Sequence, residues 1–178
     1  GKGNLGKFAA AVKSALKQGD VAKAEQLCNQ QQGSVANVVL AALTEYKKQQ
    51  GTDLETEKKV LAIQKTIEEA TALEMPMMQE NLPIIGTIVT LGTLMGLLGT
   101  VMGMIKSFSA MGSGEGGADS SALSVGISEA LVNTASGIAT GAAAVIAYNY
   151  YTNKIDRLTF AIDELGFTIV ETFKTTQK

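Results

Sequence analysis

The uncharged stretch at residues 130–151 constrains the fold of this chain most. No Asp, Glu, Lys or Arg interrupts it, and about 20 such residues are enough for a helix to cross the hydrocarbon core of a bilayer. Glu129 precedes the stretch, and Asn133, Ser136 and Thr140 follow at steps of four, three and four, which puts all four on one helical face. Because polar groups rarely face lipid, we expect this face to contact other helices or a wet passage.

A second uncharged stretch, residues 81–105, is also long enough to cross a membrane. It carries a stripe of glycines at steps of four, three and four, and the later stretch contains another GxxxG pair. These glycines are Gly92, Gly96, Gly99, Gly103, Gly137 and Gly141. Small residues let helix backbones approach closely in lipid, so we predict that they pack helices together. The threonines of this stretch (Thr87, Thr90, Thr93 and Thr100) are expected to bond to their own helix carbonyls or to line a path.

The composition excludes several functional classes. Only 18% of the residues are charged, against about 25% in a typical soluble domain. The chain has no His and a single cysteine, Cys28, so neither a Cys/His metal cluster nor an internal disulfide is available. The net charge of −2 and the lack of Trp argue against nucleic-acid binding. No catalytic cluster is present, and we expect neither a cofactor, a metal nor an enzyme.

We therefore predict an all-α membrane protein whose transmembrane helices extend into a cytoplasmic helical region. The predicted segments are a cytoplasmic helical region (1–80), a transmembrane helix (81–105), a short periplasmic linker (106–121), a transmembrane helix with a polar face (122–151) and a cytoplasmic helical tail (152–178). Lys and Arg concentrate in the first and last segments, which predicts that both are cytoplasmic.

Local signals predict helix boundaries in the first segment. Gly19 followed by Asp20 predicts the end of one helix and the cap of the next. Thr52 and Glu55, three residues apart, form a capping-box pattern that predicts the start of a long helix. The chain begins with Gly and shows no signal peptide, so we expect it to begin inside a longer protein.

Two motifs resemble those of a known family. GLLGTVMGMIKSF at residues 96–108 and GISEALVNTASGIATGAAAVIAYN at residues 126–149 closely resemble the MotA/TolQ/ExbB proton channel family, nearest to its ExbB and TolQ branches. The resemblance implies a homo-oligomer, a pentamer in ExbB, around the single helices of an ExbD-like or TolR-like partner. It also implies an inner-membrane motor of a Gram-negative bacterium that uses the proton motive force to energise a TonB-like protein.

The same resemblance implies that Thr100, Glu129 and Thr134 line the proton pathway. Glu129 also lies on the polar face inferred from the residues alone. Thr134 is five residues further on, about 500° of rotation and so about 140° from Glu129, which predicts that it faces a neighbouring subunit instead. Three alternatives stay open: a TolQ-like subunit of the Tol-Pal system, a membrane scaffold that conducts no ion, and a soluble helical enzyme, against which the two long uncharged stretches argue. Proton or sodium as the driving ion stays open.

Overall fold

The computed structural model describes residues 4–112 and 120–176, and within them every regular element is an α-helix. The all-α prediction is thus confirmed. The helices are α1 (Leu5–Lys17), α2 (Val21–Gln31), α3 (Ser34–Gln50), α4 (Thr56–Gln79), α5 (Leu82–Gly112) and α6 (Ser120–Thr176).

The short helices begin and end where local chemistry favours it, with one exception. Gly19 has φ +73°, a left-handed conformation that suits glycine after a helix end. The Asp20 side chain then accepts a hydrogen bond of 2.9 Å from the backbone N–H of Lys23, so the predicted cap of α2 is confirmed. The capping box is wrong: α4 begins at Thr56, and the Thr52 hydroxyl donates to the Gln49 carbonyl at the end of α3.

The described residues fall into two compact units. The first, here called the core unit, comes from Gly1–Glu80 and Asn153–Lys178, and the second, the hairpin unit, from Asn81–Thr152. In the core unit, α1 to α4 and the last part of α6 enclose a shared apolar core. Its largest fully buried side chains include Tyr46, Phe173, Leu16, Leu43, Ile63 and Leu165. The rings of Tyr46 and Phe173 meet edge to face, with their centroids 4.9 Å apart.

The hairpin unit consists of α5 and the first part of α6, which run antiparallel and contact along their length. By length and composition, two helical segments can cross a membrane: Thr56–Ser109, which comprises α4 and most of α5, and Leu123–Thr176 within α6. Only 6% and 17% of their most apolar windows are buried. A core helix of a soluble protein would be mostly buried, so this exposed apolar surface favours a membrane setting.

The helices of the structure are longer than the predicted spans. α5 continues through residues 106–112, the first part of the predicted linker, where the Ser107 hydroxyl donates to the Gly103 carbonyl at 2.8 Å. α6 begins at Ser120 and runs unbroken to Thr176, which agrees with the expectation that the last membrane helix continues into the tail. The rest of the predicted linker, residues 113–119, lies outside the described residues.

Candidate functional site

The two helices of the hairpin unit approach most closely at Gly96 of α5 and Gly137 of α6. A Cβ atom at Gly96 would lie 2.8 Å from the Gly137 Cα and 2.9 Å from the Asn133 carbonyl oxygen. A Cβ atom at Gly137 would lie 2.6 Å from the Gly96 Cα. These distances are shorter than van der Waals contact, and both neighbours are backbone atoms that cannot rotate away. The two backbones are therefore in direct contact, which only glycine permits at these positions.

The structure places the four other glycines of the predicted stripes along the same contact, here called the seam. A Cβ at Gly99 would lie 2.8 Å from the Asn133 Cβ, and one at Gly103 would lie 3.0 Å from the Ala130 Cβ. Nearer the other end, Gly92 faces Thr140 and Gly141 faces the Thr93 hydroxyl. Small residues thus line the seam over several turns of both helices.

Thr100 and Thr134 meet across the seam, so Thr134 faces α5 of its own chain and not, as predicted, a neighbouring subunit. Their hydroxyl groups are hydrogen-bonded to each other, and both side chains are half-buried. The Thr100 Oγ1 also lies 3.2 Å from the Gly96 carbonyl oxygen and 3.3 Å from that of Ala130. A hydroxyl group has one proton, so Thr100 can donate to only one of these three acceptors at a time. Thr134 can instead donate to Thr100, so the pair can exchange its hydrogen bonds without a change of backbone.

Glu129 and Asn133 lie in an open groove on the flank of the seam. The groove is also lined by Gly99, Gly103 and Lys106 of α5. Glu129 is exposed in this single chain, so its carboxylate faces outwards from the helix pair. The groove carries one carboxylate, from Glu129, and one ammonium group, from Lys106. Glu129 is not hydrogen-bonded to the threonine pair, in keeping with the five-residue separation of Glu129 and Thr134.

The predicted polar face of α6 is divided by its neighbour. Asn133 packs against Gly99, and the methyl group of Thr140 faces Gly92, so these two residues border α5. Ser136 is exposed, and its carbonyl accepts a hydrogen bond of 2.9 Å from the Thr140 hydroxyl. Glu129 and Ser136 lie further round the helix and are exposed, with Glu129 still bordering the groove that α5 lines. Within the hairpin, the polar face of α6 thus has one side against α5, with Asn133 and Thr140, and one exposed side, with Glu129 and Ser136.

The threonines outside the pair bond to their own helix. Thr87 donates to the Pro83 carbonyl at 2.8 Å, and Thr90 and Thr93 reach the carbonyls of Gly86 and Val89 at 3.4 Å and 3.3 Å. The expectation of self-satisfied hydroxyls is confirmed for these three. Thr100 is different, because its hydroxyl also has partners on α6.

The seam extends to Ser107 and Gly126, which the sequence did not predict. Ser107 is buried, and a Cβ at Gly126 would lie 1.7 Å from its hydroxyl oxygen, so no other residue fits there without rearrangement. The signal was present in the spacing: Gly126, Ala130, Gly137 and Ala144 recur at steps of four and seven along α6. These are one seam-facing set of small residues, of which only the GxxxG pair stood out.

The described residues contain no group of three or more His, Cys, Asp or Glu side chains that could hold a metal ion. The single thiol, Cys28, lies in the core unit. Burial, and secondarily the charge of Glu25, raises its pKa from an ordinary 9.0 to about 12. A thiol with so high a pKa is protonated at neutral pH and unreactive, as expected of a small apolar core residue.

The sequence profile of the MotA/TolQ/ExbB proton channel family matches residues 30–164. That segment contains most of the core unit and the whole seam. The chain belongs to this family. The family resemblance noted in the sequence is therefore confirmed, and the family is one of proton channels.

Similar proteins of three organisms cover part of the chain. The biopolymer transport protein ExbB of Helicobacter pylori is 42% identical over 79 residues, which are 44% of this chain and 54% of that protein. An ExbB-like protein of Synechocystis is 38% identical over 86 residues, 48% of this chain and 41% of that protein. An ExbB homologue of Methanothermobacter thermautotrophicus is 33% identical over 94 residues, which are 53% of this chain and 33% of that protein. The chain thus aligns with about a third to a half of the length of the curated relatives it matches.

Proposed function

We propose that this chain is an ExbB-like subunit of a proton-driven motor in the inner membrane of a Gram-negative bacterium. The observation that carries the proposal is the hydroxyl pair of Thr100 and Thr134, held at a glycine-lined seam between two apolar helices. Both residues lie in the segment that matches the proton channel family. A hydrogen-bonded pair that can reverse its direction suits a path along which protons or water rearrange.

The physical role of the seam is to surround a titrating group rather than to carry out covalent chemistry. A carboxylate from a partner helix would be costly in the membrane when charged, and nearby hydroxyl groups offset part of that cost. Gain and loss of a proton by such a carboxylate would then change its preferred environment and so move the helices. Glu129, in the groove beside Lys106, would tune the charge at the entrance.

The proposed assembly has several components. The chain would form a homo-oligomer, a pentamer by family resemblance, around an ExbD-like single helix, and would energise a TonB-like protein for transport across the outer membrane. Both ends of the chain would be cytoplasmic, with the connection between α5 and α6 in the periplasm. Support comes from the family match and from relatives that carry the name ExbB and the description biopolymer transport.

Two alternatives differ in their expected behaviour. A TolQ-like subunit would use a TolR-like partner in the Tol-Pal system, and the ExbB names of the relatives favour the TonB-linked role over it. A scaffold that conducts no ion is compatible with the direct backbone contact of Gly96 and Gly137, because a channel and a scaffold both require that contact. The scaffold would tolerate loss of the Thr134 hydroxyl, whereas a channel would not.

The test is ion flux into liposomes that contain the full-length protein, with and without its co-expressed ExbD-like partner. We expect flux that requires the partner, follows a proton gradient and falls at least severalfold in Thr134→Val. Thr87→Val is the matched control, because that hydroxyl bonds only within its own helix. A stable complex with full flux in Thr134→Val would contradict the proposed proton pathway. Flux under a sodium gradient alone would mean that sodium, not the proton, is the driving ion.

A further inference from the structure

A cavity in the core unit combines two basic side chains with the beginning of a helix. Lys154 and Arg157 of α6 form one wall, and Gly33, Ser34 and Val35 at the start of α3 form another. Leu5 and Leu158 add apolar surface. Neither Asp nor Glu lines the cavity. The lining of the cavity therefore suits a ligand that carries a negative charge next to an apolar group.

The two basic side chains are not used elsewhere in the described part of the chain. Lys154 and Arg157 are three residues apart on one helix, so they project from the same side. The ion pairs of the described residues involve other cations: Lys13, Lys47, Lys48, Lys58 and Lys65. Asp156 lies between the two in sequence but projects about 100° or more away from both and does not line the cavity. Two positive charges therefore face the cavity with no carboxylate to neutralise them.

The position of these charges along α6 corresponds to the membrane boundary. Lys154 is the first charged residue after the uncharged stretch that follows Glu129. Tyr150 and Tyr151 lie one turn before it, both exposed, and such aromatic residues are typical of the membrane–water interface. At 1.5 Å per residue, Lys154 and Arg157 follow Tyr151 by about 5 to 9 Å along the helix. In the membrane orientation proposed above, lipid phosphate groups lie at this depth.

We infer that this cavity binds the phosphate group of an anionic phospholipid from the cytoplasmic leaflet, an inference that rests on the membrane orientation proposed above. The Arg157 guanidinium would form paired hydrogen bonds to phosphate oxygens, and the Lys154 ammonium would add a second charge. Ser34 and the neighbouring backbone N–H groups supply further donors, while Leu5 and Leu158 contact the glycerol and acyl portion. A basic cavity at this depth is the kind that binds anionic headgroups.

Native mass spectrometry of the full-length protein in mild detergent tests the site. The protein is titrated with dioleoyl phosphatidylglycerol and, separately, with dioleoyl phosphatidylcholine, which has the same chains and no net charge. We expect preferential binding of phosphatidylglycerol. Lys154→Gln and Arg157→Gln should each weaken it about fivefold, and the double variant roughly 25-fold. Lys154→Arg keeps the charge and should bind phosphatidylglycerol about as tightly as the parent protein does.

The matched control is the double variant Lys7→Gln, Lys17→Gln, which removes the same charge from exposed positions on α1 outside the cavity. It should bind phosphatidylglycerol as the parent protein does. Equal weakening in this control would overturn the site in favour of general charge attraction, as would an unchanged affinity in the Lys154 and Arg157 double variant. Displacement of the lipid by inorganic phosphate or glycerol phosphate at comparable concentration would overturn the lipid as the source of the phosphate.

Circular dichroism establishes that each variant is folded before its affinity is measured. Because the readout is lipid affinity, it separates this inference from the proposed function. A parent protein that conducts no protons but prefers phosphatidylglycerol would count against the motor alone. A parent protein that conducts protons but shows no preference for phosphatidylglycerol would count against the cavity alone.

Discussion

The core unit and the hairpin unit of this chain bury opposite kinds of residue. The core unit buries large side chains such as Tyr46 and Phe173 and exposes most of its charges. In the hairpin unit the buried residues are small, among them Gly96, Ala130 and Gly137, while large apolar side chains such as Leu97 point outwards. Water drives large apolar groups together, whereas lipid does not, so helices in lipid associate through close backbone contact.

This difference predicts opposite responses to a change of side-chain volume. The core unit should be most sensitive to the removal of atoms, because a cavity forfeits both burial and contacts. The hairpin unit should be most sensitive to the addition of atoms, because its backbones already touch.

The largest expected effect is that of Phe173→Ala in the core unit. Phe173 is completely buried and packs edge to face on Tyr46. Truncation of such a residue costs about 3–5 kcal/mol of unfolding free energy. Thermal unfolding followed by circular dichroism measures it. Phe167→Ala is the control, since that ring is 70% exposed and should change stability by less than about 0.5 kcal/mol. Equal losses in the two variants would contradict the assigned core.

The second effect concerns the reactivity and pH dependence of Cys28. Its pKa of about 12, against 9.0 ordinarily, lowers the thiolate fraction at neutral pH about a thousandfold, so maleimide labelling of the folded protein should slow by that factor. The folded state then retains a proton that the unfolded state loses above pH 9. The contribution of Cys28 to stability is therefore complete below pH 9 and is lost as the pH rises towards 12.

The control for Cys28 is a thiol on the surface of the same unit. Ala10 is exposed on α1, so Ala10→Cys in a Cys28→Ala background should label at the rate of a free thiol. Rapid labelling of Cys28 in the folded protein would mean that α2 opens frequently.

The third effect is that of Gly96→Ala in the hairpin unit. The added Cβ would meet the backbone of Gly137 and Asn133 at less than 3 Å, so the helices must separate. We expect a loss on the order of 1–3 kcal/mol, measured by denaturant titration in detergent. Gly112→Ala is the control because a Cβ there meets nothing within 4 Å, and it should be neutral or slightly stabilising. A neutral Gly96→Ala would mean that the seam is looser than described.

These comparisons also indicate how much the sequence could reveal. Ile162, Leu165 and Ile169 recur at helical spacing in the tail and all are buried, so a pattern within one helix indicates its core face. The length of the two uncharged stretches predicted the two apolar helices, and the spacing of the glycines predicted which face of each helix carries small residues. Each of these signals is local to one helix, which is why single-sequence reasoning could use it.

Features that depend on the register between two helices could not be predicted from the residues alone. The hydrogen bond of Thr100 to Thr134 requires that Gly96 and Gly137 meet, and neither helix alone specifies that pairing. The start of α4 was missed for a related reason. The Thr52 hydroxyl could accept from the backbone N–H of Glu55 and cap the next helix, or donate to the preceding helix, and it donates to the Gln49 carbonyl.

The smallest expected effect on stability is that of Thr134→Val. Interhelical hydrogen bonds in membranes contribute about 0.6 kcal/mol on average, so the variant should lose no more than about 1 kcal/mol. A double-mutant cycle with Thr100→Val should give a coupling energy of similar size. Thr87→Val, whose hydroxyl bonds to its own helix, should show no coupling to Thr100. Since the stability change is so small, it cannot by itself abolish ion flux. A large loss of flux in Thr134→Val with this small loss of stability would therefore assign the pair to the proton path. A loss of flux as small as the loss of stability would assign the pair to helix packing.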